Sequence, residues 1–146
     1  MSATVPPVQK PIADVFTWPS ESPQLLGSRC TACAAVTFPE QSRCPRCSGA
    51  TMEQEALPRR GTLVSWTTQA FMPSIDYLND PSGKSFVPFG VGLVQLDDVV
   101  RVEARLTEND PAKLDFGMAV ELQILPLFVD ADGDEVMTFA FAPVGA

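Results

Sequence analysis

The sequence predicts a mostly β protein built from two parts, and three observations support this prediction. Four cysteines form two Cys-x-x-Cys pairs in the first third of the chain. From Gly61 onward, short runs rich in β-branched and aromatic residues alternate with turn residues. One brief helical signal, at 109–111, precedes the last two of these runs, which form the last hairpin. A zinc ribbon followed by a five-stranded barrel of the OB type accounts for all three.

The first 23 residues form a proline-rich N-terminal segment. It carries five of the fourteen prolines, a density that excludes a long helix, although Ile12–Trp18 could form one or two turns. Phe16 and Trp18 are too apolar for a purely solvated tail, so we expect them to pack onto the body of the protein or onto a partner. The predicted domains are therefore this segment at 1–23, the zinc ribbon at 24–57 and the OB-fold domain at 58–146.

The two cysteine pairs predict a metal site made of Cys30, Cys33, Cys44 and Cys47. Each pair places two thiolates three residues apart at a turn. Four sulfur ligands suit tetrahedral zinc with every coordination position filled by protein, so the site builds structure and does not catalyse. Iron in the same cage and two disulfides are the alternatives, and disulfides would require an oxidising compartment. So short a ribbon needs the metal for its stability.

The second part of the chain predicts a barrel. Five strands are expected at 62–68, 91–96, 99–106, 120–124 and 136–141. Asp97-Asp98 and Asp132-Gly133 are the expected tight turns, and Asn109-Asp110-Pro111 opens a short helical turn before the last hairpin. Gly90 and Gly92 suit a barrel bend or a close backbone approach. The apolar segment 70–86 is expected to dock onto the barrel or onto a partner.

Composition and charge narrow the possible functions. The net charge is −8, which disfavours general binding to a phosphate backbone. The chain has no histidine, and its four cysteines are assigned to metal, so the usual nucleophiles and general bases are missing and we predict no catalytic residues. A nucleic-acid-binding module is the alternative function, because zinc ribbons and OB barrels both serve that purpose elsewhere.

The N-terminus and the hydropathy of the chain favour a cytoplasmic location. Residues 1–10 contain no apolar run of signal-peptide length. No stretch reaches the roughly 18 apolar residues of a membrane span. We therefore expect reduced cysteines that are available to metal.

Over about 25–143 the chain resembles the family that joins a rubredoxin-like zinc ribbon to an acyl-CoA-associated OB-fold domain. The matching motifs are Cys30-Thr31-Ala32-Cys33, Phe38-Pro39, Cys44-Pro45-Arg46-Cys47, 61–67, 88–97 and 110–120. The resemblance implies a non-catalytic accessory subunit that binds acyl-CoA beside a thiolase-like protein, which carries out the carbon–carbon bond chemistry, in a hetero-oligomer. Two turns depart from the family pattern: Ala34 stands where glycine is frequent, and Asp97-Asp98 where Asp-Gly is frequent.

Four residues are candidate contacts for coenzyme A. Arg29, Arg43 and Arg46 lie beside or within the cysteine pairs and offer guanidinium forks for phosphates. Phe38, between the pairs, offers an aromatic platform. The structural alternative is that Arg43 and Arg46 are solvated and that Phe38 covers the ribbon core.

Overall fold

The computed structural model describes residues 8–73 and 86–145. Within these ranges the regular structure is nine strands and one 3-10 turn at Pro111–Lys113. The strands are β1 (Gln9–Pro11), β2 (Leu26–Cys30), β3 (Val36–Thr37), β4 (Met52–Ala56), β5 (Arg60–Gln69), β6 (Phe89–Leu96), β7 (Val100–Leu106), β8 (Ala119–Val129) and β9 (Glu135–Pro143). No helix in the described ranges is long and apolar enough to cross a membrane.

Strands β5 to β9 form the closed five-stranded barrel that the sequence predicts. Their order is β6-β7-β9-β8-β5, and antiparallel pairing of β5 with β6 closes the ring. Strand β8 runs five residues beyond its predicted end and passes through Pro126. The register shifts between Pro126 and Phe128, which is where a sheet tolerates a residue that cannot donate a backbone hydrogen bond. The segment 70–86 falls largely outside the described residues.

The barrel interior is filled by side chains that alternate along its strands. Two glycines of β6 allow other parts of the chain to pack closely against this strand. The buried residues from its five strands include Leu63, Val94, Leu96, Val102, Leu106, Val120, Leu122 and Phe141. A Cβ on Gly90 would lie 2.5 Å from the Glu108 carbonyl oxygen, and one on Gly92 would lie 2.7 Å from Leu63 Cδ1. The close approach predicted at these glycines is confirmed.

The N-terminal segment adds a strand to the barrel sheet. Strand β1 pairs in parallel with the first half of β9, while β7 pairs with the second half. Strand β1 thus covers backbone of β9 that would otherwise be an exposed edge. Phe16 is buried in the core and Trp18 packs edge-on against it, with ring centroids 6.3 Å apart. The expected packing of both aromatic residues onto the body of the protein is confirmed.

The helical turns considered for Ile12–Trp18 do not form. The backbone there pairs with the chain just before β2: the Thr17 amide donates to the Gln24 carbonyl at 2.9 Å, and the Leu26 amide to the Val15 carbonyl at 2.8 Å. These contacts with a neighbouring segment satisfy the backbone groups in an extended form, so the prediction of helix is wrong.

The ribbon and the barrel meet in one hydrophobic cluster at the end of the ribbon sheet where β2 begins and β4 ends. Its sheet has the order β3-β2-β4. Leu25 and Leu57 flank this sheet, and the Leu57 amide donates to the Leu25 carbonyl at 2.8 Å. Both leucines are fully buried in the same hydrophobic cluster as the barrel residues. One core therefore supports both parts.

Arg59 ties the two parts together through hydrogen bonds. Its guanidinium donates to the carbonyl of Pro23, ahead of the ribbon, and to that of Leu122 in β8 at 3.0 Å. The Leu122 amide donates in return to the Arg59 carbonyl at 2.7 Å. The connection between ribbon and barrel is thus held by a charged group with several partners.

Replacing Arg59 by alanine should lower the free energy of unfolding by about 2–3 kcal/mol, because two carbonyls lose a charged donor. Arg60→Ala is the matched control, since Arg60 is exposed and its contact with Glu121 is 3.7 Å long. Its effect should stay below about 0.5 kcal/mol. Urea unfolding of the metal-loaded protein measures both. Equal effects of the two substitutions would contradict the role assigned to Arg59.

Candidate functional site

The four cysteine sulfurs form one compact cluster. All four Sγ atoms lie within 4.8 Å of one another, and the Cys30–Cys47 and Cys33–Cys44 sulfurs are 3.6 Å apart. Sulfurs at the corners of a zinc tetrahedron lie about 3.8 Å apart, given zinc–sulfur bonds of about 2.3 Å. The donor set therefore fits a structural zinc. All four cysteines are free thiols, so the two-disulfide alternative is not the state of this structure.

Each cysteine pair sits on a short backbone turn. The Ala34 amide donates to the Cys30 carbonyl and the Ser48 amide to the Cys44 carbonyl, both at 2.9 Å. Ala34 and Ser48 close these turns in the left-handed region, with φ of 64° and 63°. Glycine adopts that conformation without steric cost. The positive φ is a physical reason for glycine at the position of Ala34, and the alanine here accepts some backbone strain.

Backbone amides donate hydrogen bonds to two of the sulfurs and thereby stabilise their thiolate form. The amides of Cys33 and Ala32 donate to the Cys30 sulfur and lower its pKa to about 6. The amides of Cys47 and Arg46 likewise lower the pKa of Cys44, the latter donating at 3.4 Å. Since the thiolate is the form that binds metal, these donors favour metal binding at neutral pH.

The pKa of Cys47 is raised, in contrast to those of Cys30 and Cys44. The Gly49 amide lowers the pKa of Cys47, but the sulfurs of Cys30, Cys33 and Cys44 outweigh it and raise the pKa to about 12. Four thiolates at this separation repel one another, so the fully ionised cluster needs a cation at its centre. This electrostatic demand and the near-tetrahedral spacing both favour a bound metal ion.

Two of the four predicted coenzyme contacts have side-chain partners in this chain, although the Arg29 side chain is still 40% exposed. Arg29 forms a two-pronged ion pair with Glu55, with nitrogen–oxygen distances of 2.5 and 2.9 Å. Phe38 is half-buried and packs edge-on against Phe139 of β9, with ring centroids 5.6 Å apart. These contacts hold the ribbon sheet together and join it to the barrel.

The other two predicted contacts are on the surface of the second knuckle. Arg43 and Arg46 are both exposed. Arg43 donates to the Ser48 carbonyl at 3.0 Å, which leaves the rest of its guanidinium facing outward. The four candidates are therefore of two kinds, two that hold the structure and two that face solvent.

The structure also shows a cleft between ribbon and barrel that sequence reasoning missed. It has a volume of about 270 Å³. Its lining residues are Gln24, Arg29, Val36, Glu55, Ala56, Leu57, Pro58, Asp97 and Val99. Asp97 and Val99 lie in the β6–β7 turn, far along the chain from the ribbon residues, so no local pattern could have brought them together.

A second feature missed from the sequence is the contact between β1 and the hairpin that joins β8 to β9, although the turn of that hairpin at Asp132-Gly133 was predicted. Asp130 accepts hydrogen bonds from the amides of Asp132 and Asp134, each 3.0 Å long. Lys10 forms ion pairs with Asp130 and Asp134 and lowers the pKa of Asp130. These contacts tie β1 to the hairpin, which explains how a short strand stays on the barrel edge.

A four-thiolate ribbon that shares its core with a closed five-stranded OB barrel defines a class of two-part zinc-ribbon and OB-fold proteins. Residues 21–53 match the ChsH2 rubredoxin-like zinc ribbon domain, and residues 54–125 match the ChsH2 C-terminal OB-fold domain. The chain belongs to this ChsH2-type family, and the resemblance drawn from its motifs is confirmed.

Individual relatives cover most of the chain. A DUF35 domain-containing scaffold protein of Pyrococcus furiosus is 29% identical over 85% of this chain and 86% of its own length. The benzoylsuccinyl-CoA thiolase subunit BbsA of Thauera aromatica is 29% identical over 84% of this chain and 78% of its own. Among solved structures, the Ltp2-ChsH2(DUF35) aldolase matches with a TM-score of 0.60 and 25% identity, over 82% of this chain and 84% of that one.

Proposed function

We propose that this protein is a non-catalytic accessory subunit of a thiolase- or aldolase-type complex that acts on an acyl-CoA in the cytoplasm. The observation that carries the proposal is the match, over most of both chains, to a subunit of benzoylsuccinyl-CoA thiolase. The structural similarity to a chain of the Ltp2-ChsH2(DUF35) aldolase also supports the proposal. The carbon–carbon bond chemistry then belongs to the partner subunit.

The chemistry of this chain is consistent with such a division of labour. Its sequence contains no histidine, and its four cysteines form a closed set of metal ligands. A closed four-thiolate site has no open position for substrate, so its metal stabilises the ribbon. The role left to this subunit is to hold a surface against the partner.

The coenzyme contact in this proposal depends chiefly on Arg43 and Arg46. Both are exposed on the second knuckle, where a guanidinium can bind a phosphate with two parallel hydrogen bonds. Arg29 and Phe38 already have partners in this chain, Glu55 and Phe139. They would therefore stabilise the ribbon that carries the site and would not bind the coenzyme directly. Cys44 and Cys47 would hold the zinc ion, which would fix the backbone of the second knuckle that carries Arg46 and follows Arg43.

Affinity capture of the tagged protein from its own cells tests the subunit role. We expect a thiolase- or aldolase-type protein in stoichiometric amount, together with this chain. A mock capture from untagged cells identifies background proteins. Recovery of the tagged chain alone, under gentle conditions and at low salt, would contradict the proposal. Capture of nucleic acid in its place would favour the alternative module, which the net charge of −8 disfavours.

The captured complex also tests the coenzyme contact. Replacing Arg43 and Arg46 together by alanine should weaken coenzyme A binding about tenfold or more, because two charged donors to phosphate are lost. Isothermal titration of the complex with coenzyme A gives the affinity. Arg60→Ala removes an exposed arginine of the barrel and should leave the affinity unchanged. Unchanged affinity in the double variant would show that coenzyme A does not bind at the second knuckle, but it would not contradict the subunit role.

A further inference from the structure

Strand β8 contains an uninterrupted apolar run that the fold leaves partly uncovered. Residues 124–129 read Ile-Leu-Pro-Leu-Phe-Val, and none of these six residues is buried. Ile124 packs partly against the core cluster, whereas Pro126 is exposed and Val129 is 59% exposed. A strand with one face in water is expected to alternate apolar with polar residues, and an uninterrupted apolar run is typical of a strand covered on both sides. The run therefore indicates a surface that another molecule covers.

This run lies on the part of the β8–β9 hairpin that extends past the barrel. Among the described strands, β5 pairs with β8 at 119–121, and β9 alone pairs with it from Leu122 to Val129. Strand β1 lies on the other side of β9, so β8 is the outer edge of a three-stranded arm. We name residues 124–138 the hairpin arm. Pro126 on this edge disfavours the addition of a further strand, so the arm is suited to contact through its side chains.

The tip of the hairpin arm is acidic. Asp130, Asp132, Asp134 and Glu135 directly follow the apolar run, and the whole hairpin at 119–143 contains no basic residue. Lys10 of β1 pairs with Asp130 and Asp134, so one ammonium faces four carboxylates and the tip stays negative. Asp132 is exposed, and it is its backbone amide that takes part in the hydrogen bond to Asp130. The arm thus presents an apolar run next to carboxylates that face solvent.

Charge complementarity distinguishes the possible occupants of the arm. A second copy would bring a like-charged tip on a molecule whose net charge is −8, so self-association through the arm is disfavoured. Nucleic acid and an anionic lipid surface are repelled for the same reason. A protein surface with an apolar groove beside lysine or arginine side chains complements both the run and the tip.

We propose that the hairpin arm is a docking surface for the partner subunit, which contacts it with an apolar groove flanked by basic side chains. This inference rests on the proposed accessory function and adds to it the face and the charge of the contact. The apolar side chains of 124–129 lie at the centre of the contact, and the carboxylates of the tip pair with the basic groups at its rim. Burial then supplies most of the affinity, while the charges raise the association rate and make it dependent on salt.

A charge placed in the apolar run tests the centre of the contact. Val129→Arg should weaken binding of the partner subunit about a hundredfold or more, because it buries a charge in the groove beside like-charged groups. Val87→Arg is the matched control, since Val87 is 70% exposed just before β6, outside the hairpin arm, and this variant should bind the partner as the wild type does. Metal content and the unfolding midpoint show that each variant is folded.

The salt dependence of association tests the charge of the partner surface. Asp132→Asn keeps the shape of the side chain and removes one negative charge from the tip. It should lower the association rate constant at low salt severalfold and make that constant less dependent on salt. Asp115→Asn changes the net charge equally at an exposed position before β8 and should have a smaller effect. A wild-type association rate that rises with salt would overturn the choice of a basic partner surface.

Hydroxyl-radical footprinting of the wild-type complex needs no substitution. Phe128 of the arm should be protected from oxidation by the partner, whereas Phe116, which is 70% exposed outside the arm, should react as in the free chain. A folded Val129→Arg variant that keeps the partner at wild-type strength would overturn the docking surface and leave the accessory function standing. A wild-type dimer that Val129→Arg converts to a monomer would overturn it in favour of a second copy. Failure of the wild type to capture any such subunit would overturn the accessory function itself.

Discussion

Replacing Cys30 by serine should release the metal and unfold the ribbon over 26–56. The apparent free energy of binding of a structural zinc is about 10–16 kcal/mol, which exceeds anything that so small a sheet can gain from burial. Serine offers a poor ligand in place of a buried sulfur whose thiolate is stabilised by two amides. Metal analysis and amide hydrogen exchange, resolved along the chain, measure the loss of zinc and of ribbon structure.

The control is Ala32→Ser, which alters the same knuckle and keeps all four sulfurs. It should keep its metal and its protection from exchange. The barrel of the Cys30→Ser variant should stay folded, with a lower unfolding midpoint because Leu25 and Leu57 belong to the shared core. Loss of barrel protection together with ribbon protection would contradict this order of events and make the two parts one cooperative unit.

Replacing Phe141 by alanine should lower the free energy of unfolding by about 3–5 kcal/mol, a large part of the stability of an ordinary domain. Phe141 is fully buried, and it pairs with Leu106 of β7 and with Leu122 of β8. It therefore fills the interior where β9 closes the barrel, and its removal leaves a cavity between three strands. Urea unfolding of the metal-loaded protein gives the value.

Phe116→Ala is the matched control for this substitution. It removes the same side chain from a position that is 70% exposed, so its effect should stay within about 0.5 kcal/mol. A comparable loss in both variants would mean that Phe116 packs in solution as Phe141 does, and it would contradict the assigned core.

The ribbon and the barrel thus depend on different sources of stability. Bonds from the four thiolates to a metal would stabilise the ribbon, and apolar burial stabilises the barrel, while Arg59 and the leucines at 25 and 57 join them. This arrangement keeps the exposed arginines Arg43 and Arg46 of the second knuckle on a body that the barrel core supports. The division of the chain at 57/58 into two domains stays a prediction, and hydrogen exchange of the Cys30→Ser variant bears on it directly.

Local patterns in the sequence determined the elements whose cause is local. Two cysteines three residues apart form a knuckle through contacts within the turn, so the metal cluster was predictable from Cys30, Cys33, Cys44 and Cys47 alone. Alternating apolar residues predicted the barrel strands at 99–106 and 120–124, because burial on one face depends on a period of two. The strand at 62–68 was predicted from its β-branched and aromatic residues. The capped turn at Asp110 followed from a capping residue before proline, and its side chain accepts from the Ala112 amide at 2.9 Å.

Only the tertiary structure decided the features that depend on partners distant in the chain. Strand β1 has no strand signature of its own and exists because the edge of β9 offers it hydrogen bonds. Arg29 and Arg46 are both arginines of the ribbon, yet one is bound by Glu55 and the other faces solvent. Residue type sets what a side chain can bind, whereas its partner depends on which groups the fold brings within a few ångströms.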